Sequence, residues 1–529
     1  MKELMIALQS DEERAGGQKI PLYEQIYAAI RRDIEEGSIT CGEKLPSTRL
    51  LAANLSVSRF TVDLAYGQLV SEGYIQARAG SGFFVCDLSD LPVGVHAQQP
   101  PQKPLREAIR ARIDFSPFAV DAAHFPYNLW KKRGREVFDG DRELLEAGDA
   151  AGDLRLRALL ASYLYRARGV RCVPEQILIG AGNEYLLLLL MQLLDKPGVA
   201  MESPTYVQAY EVLHRAGAAV YPMPMDRDGL CLPPQGCCPA KAVYVMPSHQ
   251  FPMGTVMPLR RRQALLEWAA REGRYIIEDD HDSEFRYVGK PIPSLQGRDR
   301  EERVIYLGTF SKSISPALRM SYMVLPLHLS RRFQEQLGFY SPTVSTWQQR
   351  LVCRFMEAGD FERHLNRMRR VYKAKHDFLL RELRTRPWVR GIGGENAGLH
   401  LVVRVAAKLS EEELLAAALE RGVQLYGLGR YYIGSGAADE PCGGKTVRPE
   451  GGWRSEGTGE PESEWRSEGT GEPEGVCRVK DSGQQVRAPR RKNDSRAGVG
   501  DPTLVLGFGG LTEEEIAEGL GVLDRILTG

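Results

Sequence analysis

The sequence has few of the features that mark secreted or membrane-spanning proteins. Its nine cysteines are odd in number and follow no framework spacing, which favours a reducing compartment over a disulfide-stabilised extracellular fold. The most apolar run, Leu186 to Leu194, is interrupted by Gln192 and is far shorter than the roughly 18 residues of a membrane span. The N-terminal residues also lack the apolar core of a signal peptide. We therefore predict a cytoplasmic protein that has no contact with a membrane.

An excess of charge of one sign is missing as well. The 529 residues carry 69 basic and 69 acidic side chains, which excludes a uniformly basic protein that coats nucleic acid. Any contact with DNA must therefore come from a local patch. The sequence also lacks a phosphate loop of the Gly-x-x-x-x-Gly-Lys type, and its cysteines and histidines show no metal-ligand spacing. We predict no metal site, and we interpret His249 as a structural residue.

The length and the composition together predict more than one domain. Residues 19–86 are dense in helix and turn signals. Residues 87–112 contain four prolines among polar spacers, as expected of a linker. Residues 113–529 mix apolar β-type runs with helical stretches, which is typical of an α/β domain.

A segment poor in large apolar residues interrupts the larger domain. It covers about 434–501 and contains a ten-residue direct repeat that begins at Trp453 and again at Trp465. Such a segment cannot bury enough apolar surface to fold by itself. Because residues 503–508 are predicted to form a strand and residues 511–527 a capped helix, the low-complexity segment is an insertion inside the domain.

The N-terminal segment has the pattern of a winged helix-turn-helix. Apolar residues between Leu22 and Ile34 repeat with helical spacing. Two short helices follow, the second capped by Ser58 and carrying Arg59 and Thr61 in its first turn. This turn is the part of a helix-turn-helix that faces base edges in the major groove. A Gly-rich tip at 79–82 between two apolar runs predicts a hairpin, which would form the wing.

Five short sequence strings in this segment, and the order in which they occur, resemble the GntR-type winged helix. They are Pro21-Leu-Tyr-Glu-Gln-Ile26, Leu45-Pro-Ser-Thr-Arg49, Val57-Ser-Arg-Phe-Thr-Val62, Gly73-Tyr-Ile75 and Arg78-Ala-Gly-Ser-Gly-Phe-Phe-Val85. The resemblance implies five residues that contact promoter DNA, namely Arg49, Ser58, Arg59, Thr61 and Gly80. Charge leaves a small helical docking domain open as the alternative, because the segment from Lys19 to Phe84 has seven basic and seven acidic residues.

The larger domain contains a lysine whose setting suits covalent chemistry. Lys312 ends the string Gly308-Thr-Phe-Ser-Lys312, which follows an apolar run, and Arg319 lies seven residues further on. A lysine at a strand end beside Ser and Arg suits a Schiff base next to a phosphate site. Taken alone, a solvated lysine explains the pattern as well.

Three further motifs place polar and aromatic groups near strand ends. A buried strand ends in the acidic string Glu278-Asp-Asp-His-Asp-Ser-Glu-Phe285, at the sheet edge where α/β folds bind ligands. A carboxylate there can hold a pyridine nitrogen protonated. Gly180-Ala-Gly-Asn183 precedes a helix and offers its N-terminus to a phosphate, and Tyr206 offers an aromatic face to a ring.

In this order the motifs resemble a fold-type I aminotransferase of the aspartate aminotransferase class, whose cofactor is pyridoxal 5'-phosphate. Together with the winged helix and the linker, the chain resembles the MocR/GabR family of transcription regulators. The resemblance implies the following roles: Lys312 forms the Schiff base with the cofactor, Asp279 pairs with the pyridine nitrogen, Tyr206 stacks on the ring, Ser311, Arg319 and the turn Ala181-Gly182-Asn183 bind the phosphate, and Arg430 holds the carboxylate of an incoming amino acid.

Three residues differ from those usually found at the matching positions of these families. His281 stands where the regulators usually carry a tyrosine beside the cofactor's phenolic oxygen, and Phe251 stands where aminotransferases carry an asparagine to the same oxygen. Ser321 stands where a glycine is commonly found, shortly after the phosphate-binding arginine. Because imidazole titrates near neutrality, His281 predicts a cofactor spectrum that changes with pH in that range, unless the side chain turns away from the cofactor.

We expect a homodimeric transcription regulator that binds pyridoxal phosphate and responds to an amine or amino-acid effector. Two alternatives stay open. One is a pyridoxal-phosphate-dependent aminotransferase with an appended DNA-binding module, and the other is a cofactor-free DNA-binding protein whose large domain is a dimerisation scaffold. We expect regulation rather than catalysis, with residual aminotransferase half-reactions left open.

Overall fold

The computed structural model describes Ile6 and residues 20–88, 111–139, 142–234, 236–289, 292–434 and 501–528. The chain divides into two compact units, Met1–Ala108 and Ile109–Gly529. The predicted insertion and its repeat, and most of the predicted linker, lie outside the described residues.

The smaller unit is a three-helix module followed by a hairpin. Its elements are α1 (Leu22–Glu35), α2 (Thr48–Leu55), α3 (Arg59–Ser71), β1 (Ile75–Arg78) and β2 (Gly82–Val85). Ser47 and Ser58 cap α2 and α3, because each hydroxyl oxygen accepts the backbone N–H three residues on, at 3.2 and 3.1 Å. The strands pair antiparallel from Ile75↔Val85 to Arg78↔Gly82. The predicted helix-turn-helix and wing are thus confirmed.

The larger unit contains ten α-helices in the part of the chain that the structure describes. They are α4 (Tyr127–Phe138), α5 (Leu154–Arg168), α6 (Asn183–Leu193), α7 (Val207–Arg215), α8 (Leu259–Arg271), α9 (Leu327–Leu337), α10 (Thr346–Glu357), α11 (Asp360–Arg384), α12 (Glu411–Glu420) and α13 (Glu513–Thr528). No helix of the described ranges is both long and apolar enough to span a membrane.

The strands of the larger unit follow the same chain order. They are β3 (Ile113–Asp114), β4 (Ile177–Gly180), β5 (Val199–Glu202), β6 (Val220–Met223), β7 (Met225–Asp226), β8 (Gly229–Leu230), β9 (Ala242–Val245), β10 (Tyr275–Asp280), β11 (Val304–Thr309), β12 (Ser321–Val324), β13 (Val389–Gly393), β14 (His400–Val405), β15 (Val423–Gln424) and β16 (Thr503–Gly507).

A seven-stranded sheet organises this unit, in the order β4-β12-β11-β10-β9-β5-β6. Only β12 runs antiparallel to its neighbours, so the other six strands end at the same edge of the sheet. The strands of this sheet are largely buried, and their apolar side chains pack into the core clusters of the unit. The sequence predicts polar residues at the ends of several strands, and these residues meet at the carboxyl edge of this sheet.

A second, antiparallel sheet of order β13-β14-β16 brings the last segment of the chain back into the unit. Strand β16 pairs with β14 from His400↔Gly507 to Arg404↔Thr503. Helix α13 begins with the predicted capping box, because Thr512 N–H donates to Glu515 Oε2 at 2.8 Å and Glu515 N–H donates to Thr512 Oγ1 at 3.2 Å. The strand and helix predicted beyond the insertion are therefore confirmed.

A buried ion pair ties α5 to the central sheet. Arg168 Nε donates to Asp280 Oδ2 at 2.7 Å, and the side chains are 6% and 0% exposed. The hydroxyl groups of Tyr306 and Ser283 donate to the same carboxylate at 2.6 and 2.9 Å. Burial alone would raise the pKa of Asp280, but Arg168 and the Tyr306 hydroxyl keep it below its usual range. One carboxylate thus joins α5, β10, β11 and the loop after β10.

Removing the cation of this pair should destabilise the larger unit. Arg168→Ala leaves the Asp280 carboxylate buried without its cation, which should lower the free energy of unfolding by about 3–5 kcal/mol. Urea unfolding followed by tryptophan fluorescence measures this loss. The matched control is Arg332→Ala, because Arg332 pairs with Asp195 at 2.7 Å in an exposed bridge that should contribute less than about 1 kcal/mol. Equal losses in the two variants would contradict the assignment.

Candidate functional site

A cavity of about 180 Å³ lies at the carboxyl edge of the central sheet. Eight residues predicted from the sequence line it, namely Gly182, Asn183, Tyr206, Asp279, His281, Ser311, Lys312 and Arg319. They lie near the carboxyl ends of β4, β5, β10 and β11 or in the loops after them, and these strands are parallel. Because such strands end at one edge, segments that are far apart in the sequence meet in one cavity.

Alternation along β10 decides which carboxylate faces this cavity. Successive side chains of a strand point to opposite faces, so Asp279 lies on one face while Glu278 and Asp280 lie on the other. Glu278 accepts the backbone N–H groups of Leu295 and Gln296 at 2.8 and 3.0 Å. Asp280 is paired with Arg168. Of these three acids, Asp279 is the one that lines the cavity.

Two polar side chains position the Asp279 carboxylate. The Tyr244 hydroxyl donates to Oδ2, and Asn183 Nδ2 lies 3.4 and 3.3 Å from Oδ1 and Oδ2. Burial raises the pKa of Asp279, while the positive charge of His281 and the Tyr244 hydroxyl oppose the rise. A cationic ring nitrogen beside this carboxylate would stabilise its ionised form further.

The Lys312 amine lies in the same cavity. Its Nζ donates to the backbone carbonyl of Pro117 at 2.7 Å and lies 5.3 Å from the centroid of the Phe118 ring. Burial lowers the pKa of Lys312 to about 8, although the Asp282 carboxylate acts in the opposite direction. At neutral pH this lysine is a free amine, and hence a nucleophile, more often than an ordinary lysine is.

His281 lines the cavity and shares a buried carboxylate with a second histidine. Asp282 Oδ2 lies 2.8 Å from His249 Nδ1 and 3.4 Å from His281 Nε2. Burial alone would lower the pKa of His281, but the Asp282 and Asp279 carboxylates raise it to about 9. The pKa of His281 is therefore higher than the near-neutral value expected from the sequence. In this environment the imidazole is charged at neutral pH.

The turn between β4 and α6 shapes the end of the cavity near Arg319. Gly182 has a φ of +103°, and a Cβ at this position would lie 2.7 Å from a guanidinium nitrogen of Arg319. The positive φ therefore favours glycine at this position, which also leaves room for the Arg319 side chain in its observed place. The guanidinium donates to the carbonyl of Ala181 at 3.3 Å and to Glu184 Oε2 at 3.0 Å.

Three hydroxyl groups form a chain into the same part of the cavity. Ser321 donates to Thr309 Oγ1 at 2.9 Å, and Thr309 donates to Ser311 Oγ at 3.0 Å. All three residues line the cavity. Ser321 stands where a glycine is common. Its hydroxyl positions Thr309, which a glycine could not do.

Aromatic rings surround the polar groups. Tyr206 lies 5.9 Å from Phe118 and 6.1 Å from Phe251, measured between ring centroids. Phe251 also contacts His281 and Tyr431 edge-on, with centroids 6.5 and 5.1 Å apart. An apolar wall of this kind suits a planar aromatic ligand.

Two of the predicted residues lie outside the lining of this cavity. The N–H of Ala181 donates to Thr343 Oγ1 at 3.1 Å, so it is already engaged. Arg430 lies in a neighbouring cavity of about 480 Å³, and its guanidinium is 5.6 and 5.7 Å from the ring centroids of Tyr426 and Tyr431. The two cavities share Phe118 and Glu184, so the neighbouring cavity adjoins the first.

The predicted DNA-contacting residues lie on the helix-turn-helix and on the hairpin tip of the smaller unit. Arg49 and Arg59 are exposed, and Arg59 Nε lies 3.4 Å from Asp63 in an exposed pair. Ser58 and Thr61 bond to each other through their hydroxyl oxygens at 2.7 Å, so they also act as the cap of α3. Gly80 has a φ of +68° at the hairpin tip, where a side chain would be strained.

Several residues of the site carry little or no signal in the sequence. Phe118 belongs to no motif, and Tyr244 reads as an ordinary apolar residue of a buried strand. Tyr244 reaches Asp279 only because β9 and β10 are neighbours, with Tyr244 paired to Ile277. Glu184 carries a weak signal, since it directly follows the predicted phosphate turn.

Comparison with known proteins agrees with these two folds. Residues 22–85 match the family of bacterial regulatory proteins, gntR family, and residues 117–435 match aminotransferase class I and II. The chain is 41% identical over 417 residues to the uncharacterized HTH-type transcriptional regulator YdeL of Bacillus subtilis, covering 77% of this chain and 89% of the relative.

A second relative and a solved structure extend the comparison. The probable rhizopine catabolism regulatory protein MocR of Rhizobium meliloti is 33% identical, covering 79% of this chain and 88% of that protein. The structure of LysN, an α-aminoadipate aminotransferase from Thermus thermophilus complexed with N-(5'-phosphopyridoxyl)-L-leucine, aligns with a TM-score of 0.58 and 25% identity. It covers 79% of this chain and 92% of that structure.

The fold therefore defines a regulator in which a GntR-type winged helix is combined with a fold-type I aminotransferase domain. The chain belongs to the MocR-type family of helix-turn-helix transcriptional regulators.

Proposed function

We propose that this transcriptional regulator binds pyridoxal 5'-phosphate in the cavity at the sheet edge and responds there to an amine or amino acid. The observation that carries the proposal is the presence of a half-buried lysine, Lys312, and a buried carboxylate, Asp279, in one aromatic-lined cavity. A phosphopyridoxyl ligand in the related LysN structure supports the assignment.

The polar groups of the cavity fit this cofactor in number and in kind. Asn183 Oδ1 is buried and has no hydrogen-bond partner among the described residues, so it has an unused acceptor toward a ligand. The N-terminus of α6, the guanidinium of Arg319 and the hydroxyl of Ser311 are the donors that a phosphate requires. Asp279 supplies the anion that a protonated pyridine nitrogen requires.

When bound, pyridoxal phosphate supplies an aldehyde that condenses with amines and a ring that accepts electron density. Lys312 would provide the resting amine, and its lowered pKa favours the reactive free form. His281 would donate its Nδ1 proton to the phenolic oxygen, because its Nε2 faces Asp282, whose carboxylate keeps the imidazole charged. Tyr206 would pack against the ring.

The effector would reach the cofactor through the neighbouring cavity. Arg430 offers a guanidinium that matches a carboxylate, which suits an amino acid rather than a simple amine. Effector binding regulates DNA binding only if it favours one arrangement of the protein by a difference in binding free energy. An effector amine that takes the place of Lys312 would provide such a difference if one arrangement of the protein accommodates the freed lysine better than the other.

A homodimer completes the proposal, because helix-turn-helix proteins read paired half-sites. Large apolar side chains on the surface of the larger unit support it: Leu145 is 94% exposed, Phe339 77% and Phe138 65%. Phe138 lies beside the half-exposed Trp347, with ring centroids 6.3 Å apart. Exposed apolar residues that cluster in this way mark an interface.

The enzymatic alternative uses the same groups, because transamination also needs the lysine and the carboxylate. Multiple turnovers with an amino donor and a keto-acid acceptor would favour an aminotransferase. A spectral change in a single half-reaction, without turnover, agrees with a sensor.

Replacing Lys312 should abolish covalent attachment of the cofactor. Lys312→Ala has no amine at this position, so the visible absorbance should be lost, and borohydride should no longer fix a phosphopyridoxyl group to the chain. Absorbance and peptide mass spectrometry measure this. The control, Lys373→Ala, removes an exposed lysine that is paired with Asp377 at 2.7 Å, and it should behave as the wild type does. A label fixed to another lysine in Lys312→Ala would contradict the assignment.

Replacing the two exposed arginines of the helix-turn-helix should weaken DNA binding. Arg59→Ala should cost ~1–3 kcal/mol if the guanidinium pairs with a base, and Arg49→Ala should add to the loss. Binding of the protein to its own promoter region, measured by fluorescence anisotropy at several salt concentrations, tests this. The control is Arg32→Ala on α1, whose side chain is 61% exposed. Unchanged affinity in the double variant would defeat the placement of these residues on DNA.

The spectrum of the bound cofactor should change as the pH rises through about 9, because the raised pKa of His281 keeps its imidazole charged below that value. Above it, the proton that stabilises the phenolate is lost. His281→Gln should remove this component, and Asp282→Asn should move it to lower pH, since Asp282 is the main group that raises the pKa. Identical titrations of the wild type and His281→Gln would show that His281 does not face the cofactor.

A further inference from the structure

The first turn of α3 carries an aromatic side chain that the fold does not use. Phe60 is 70% exposed, more than any other large apolar residue in the described part of the smaller unit. The remaining tyrosines and phenylalanines of this unit are buried or half-buried, with Tyr66 fully buried. Exposing a whole aromatic ring to water is unfavourable, so a partner that covers it would gain affinity.

The position of Phe60 on the helix shows what kind of partner it faces. The buried face of α3 consists of Val62, Ala65, Tyr66 and Leu69. Phe60 lies outside this face, and Leu64, four residues on and 44% exposed, is its neighbour on the outer surface of the helix. Arg59 directly precedes Phe60, so the ring lies in the turn that carries the proposed base-reading arginine.

The major groove offers one apolar group to such a ring. Each base pair presents hydrogen-bonding atoms there, but only thymine also presents a methyl group, at C5. The ring has no donor or acceptor, so it gains nothing from guanine, adenine or cytosine edges. It does gain from burying a methyl group.

We propose that Phe60 is a specificity-determining residue that reads thymine through its C5-methyl group. The proposal rests on the proposed placement of α3 in the major groove and adds to it which base the helix prefers. The neutral charge balance of the module makes such contacts more important, because it limits the share of affinity that phosphate contacts supply.

The test removes the methyl group from the DNA and the ring from the protein in turn. A binding site for the full-length protein is first selected from random duplexes. Each thymine of that site is then replaced singly by deoxyuridine, which lacks only the methyl group. Wild-type protein should lose affinity several-fold at one position of each half-site. Phe60→Ala should show a loss of similar size on the thymine duplex and no further loss on the deoxyuridine duplex.

Two further variants make the result specific to the ring. Val70→Ala removes a 37% exposed apolar side chain from the last turn of the same helix, so it should keep the wild-type sensitivity to deoxyuridine. Phe60→Leu keeps an apolar side chain, so it should retain part of that sensitivity. Thermal unfolding of the variants should match that of the wild type, because the side chain lies outside the core.

Three results would overturn the proposal. One is a Phe60→Ala protein that stays as sensitive to deoxyuridine as the wild type. Another is a selected site without thymine in its half-sites. The third is a change in oligomeric state in Phe60→Ala, measured by light scattering, which would assign the ring to a contact with a second copy. If the wild type selects no sequence at all, the placement of α3 on DNA fails, which is a separate outcome.

Discussion

The alternation of side chains along β10 is the constraint on which the candidate site depends. It sends Asp280 to Arg168 on one face of the sheet and Asp279 into the cavity on the other. A slip of one residue would move Asp279 out of the cavity and Asp280 away from Arg168. The buried ion pair therefore has a second effect beyond stability, because it fixes the register that places Asp279 beside Asn183 and Tyr244.

Two basic groups of the cavity, Lys312 and His281, lie near the Asp282 carboxylate and differ in pKa. Burial lowers the pKa of Lys312 to about 8, whereas Asp282 raises the pKa of His281 to about 9. At neutral pH the imidazole thus keeps its proton more firmly than the amine does. That order suits a site in which the amine must be free to react while the imidazole stays a donor. A tyrosine in place of His281 would supply a neutral donor and no charge to oppose protonation of Lys312.

The sequence was sufficient to predict the fold and eight of the residues that line the cavity, because both depend on local signals. Caps such as Ser58 and Thr512, strand ends such as Lys312, and the acidic string at 278–285 are visible without coordinates. Phe118 and Glu184 lie in the cavity, and Tyr244 lies beside Asp279, because of which strands and loops are neighbours, and no local pattern records that. Imidazole chemistry alone predicts titration near neutrality for His281, whereas Asp282 and Asp279 raise its pKa to about 9, and their geometry around it is a tertiary property.

The charge balance of the winged helix affects how large a difference in effector affinity the proposed regulation requires. Non-specific DNA affinity comes mainly from neutralised phosphates, and a module with seven basic and seven acidic residues has little net charge to offer them. If the exposed Arg49 and Arg59 contact DNA as proposed, the affinity depends more on a few oriented side chains of this kind. Contacts of this kind are sensitive to small displacements. Under the proposed function, a modest difference in effector affinity between two arrangements would therefore be enough to change occupancy of the promoter.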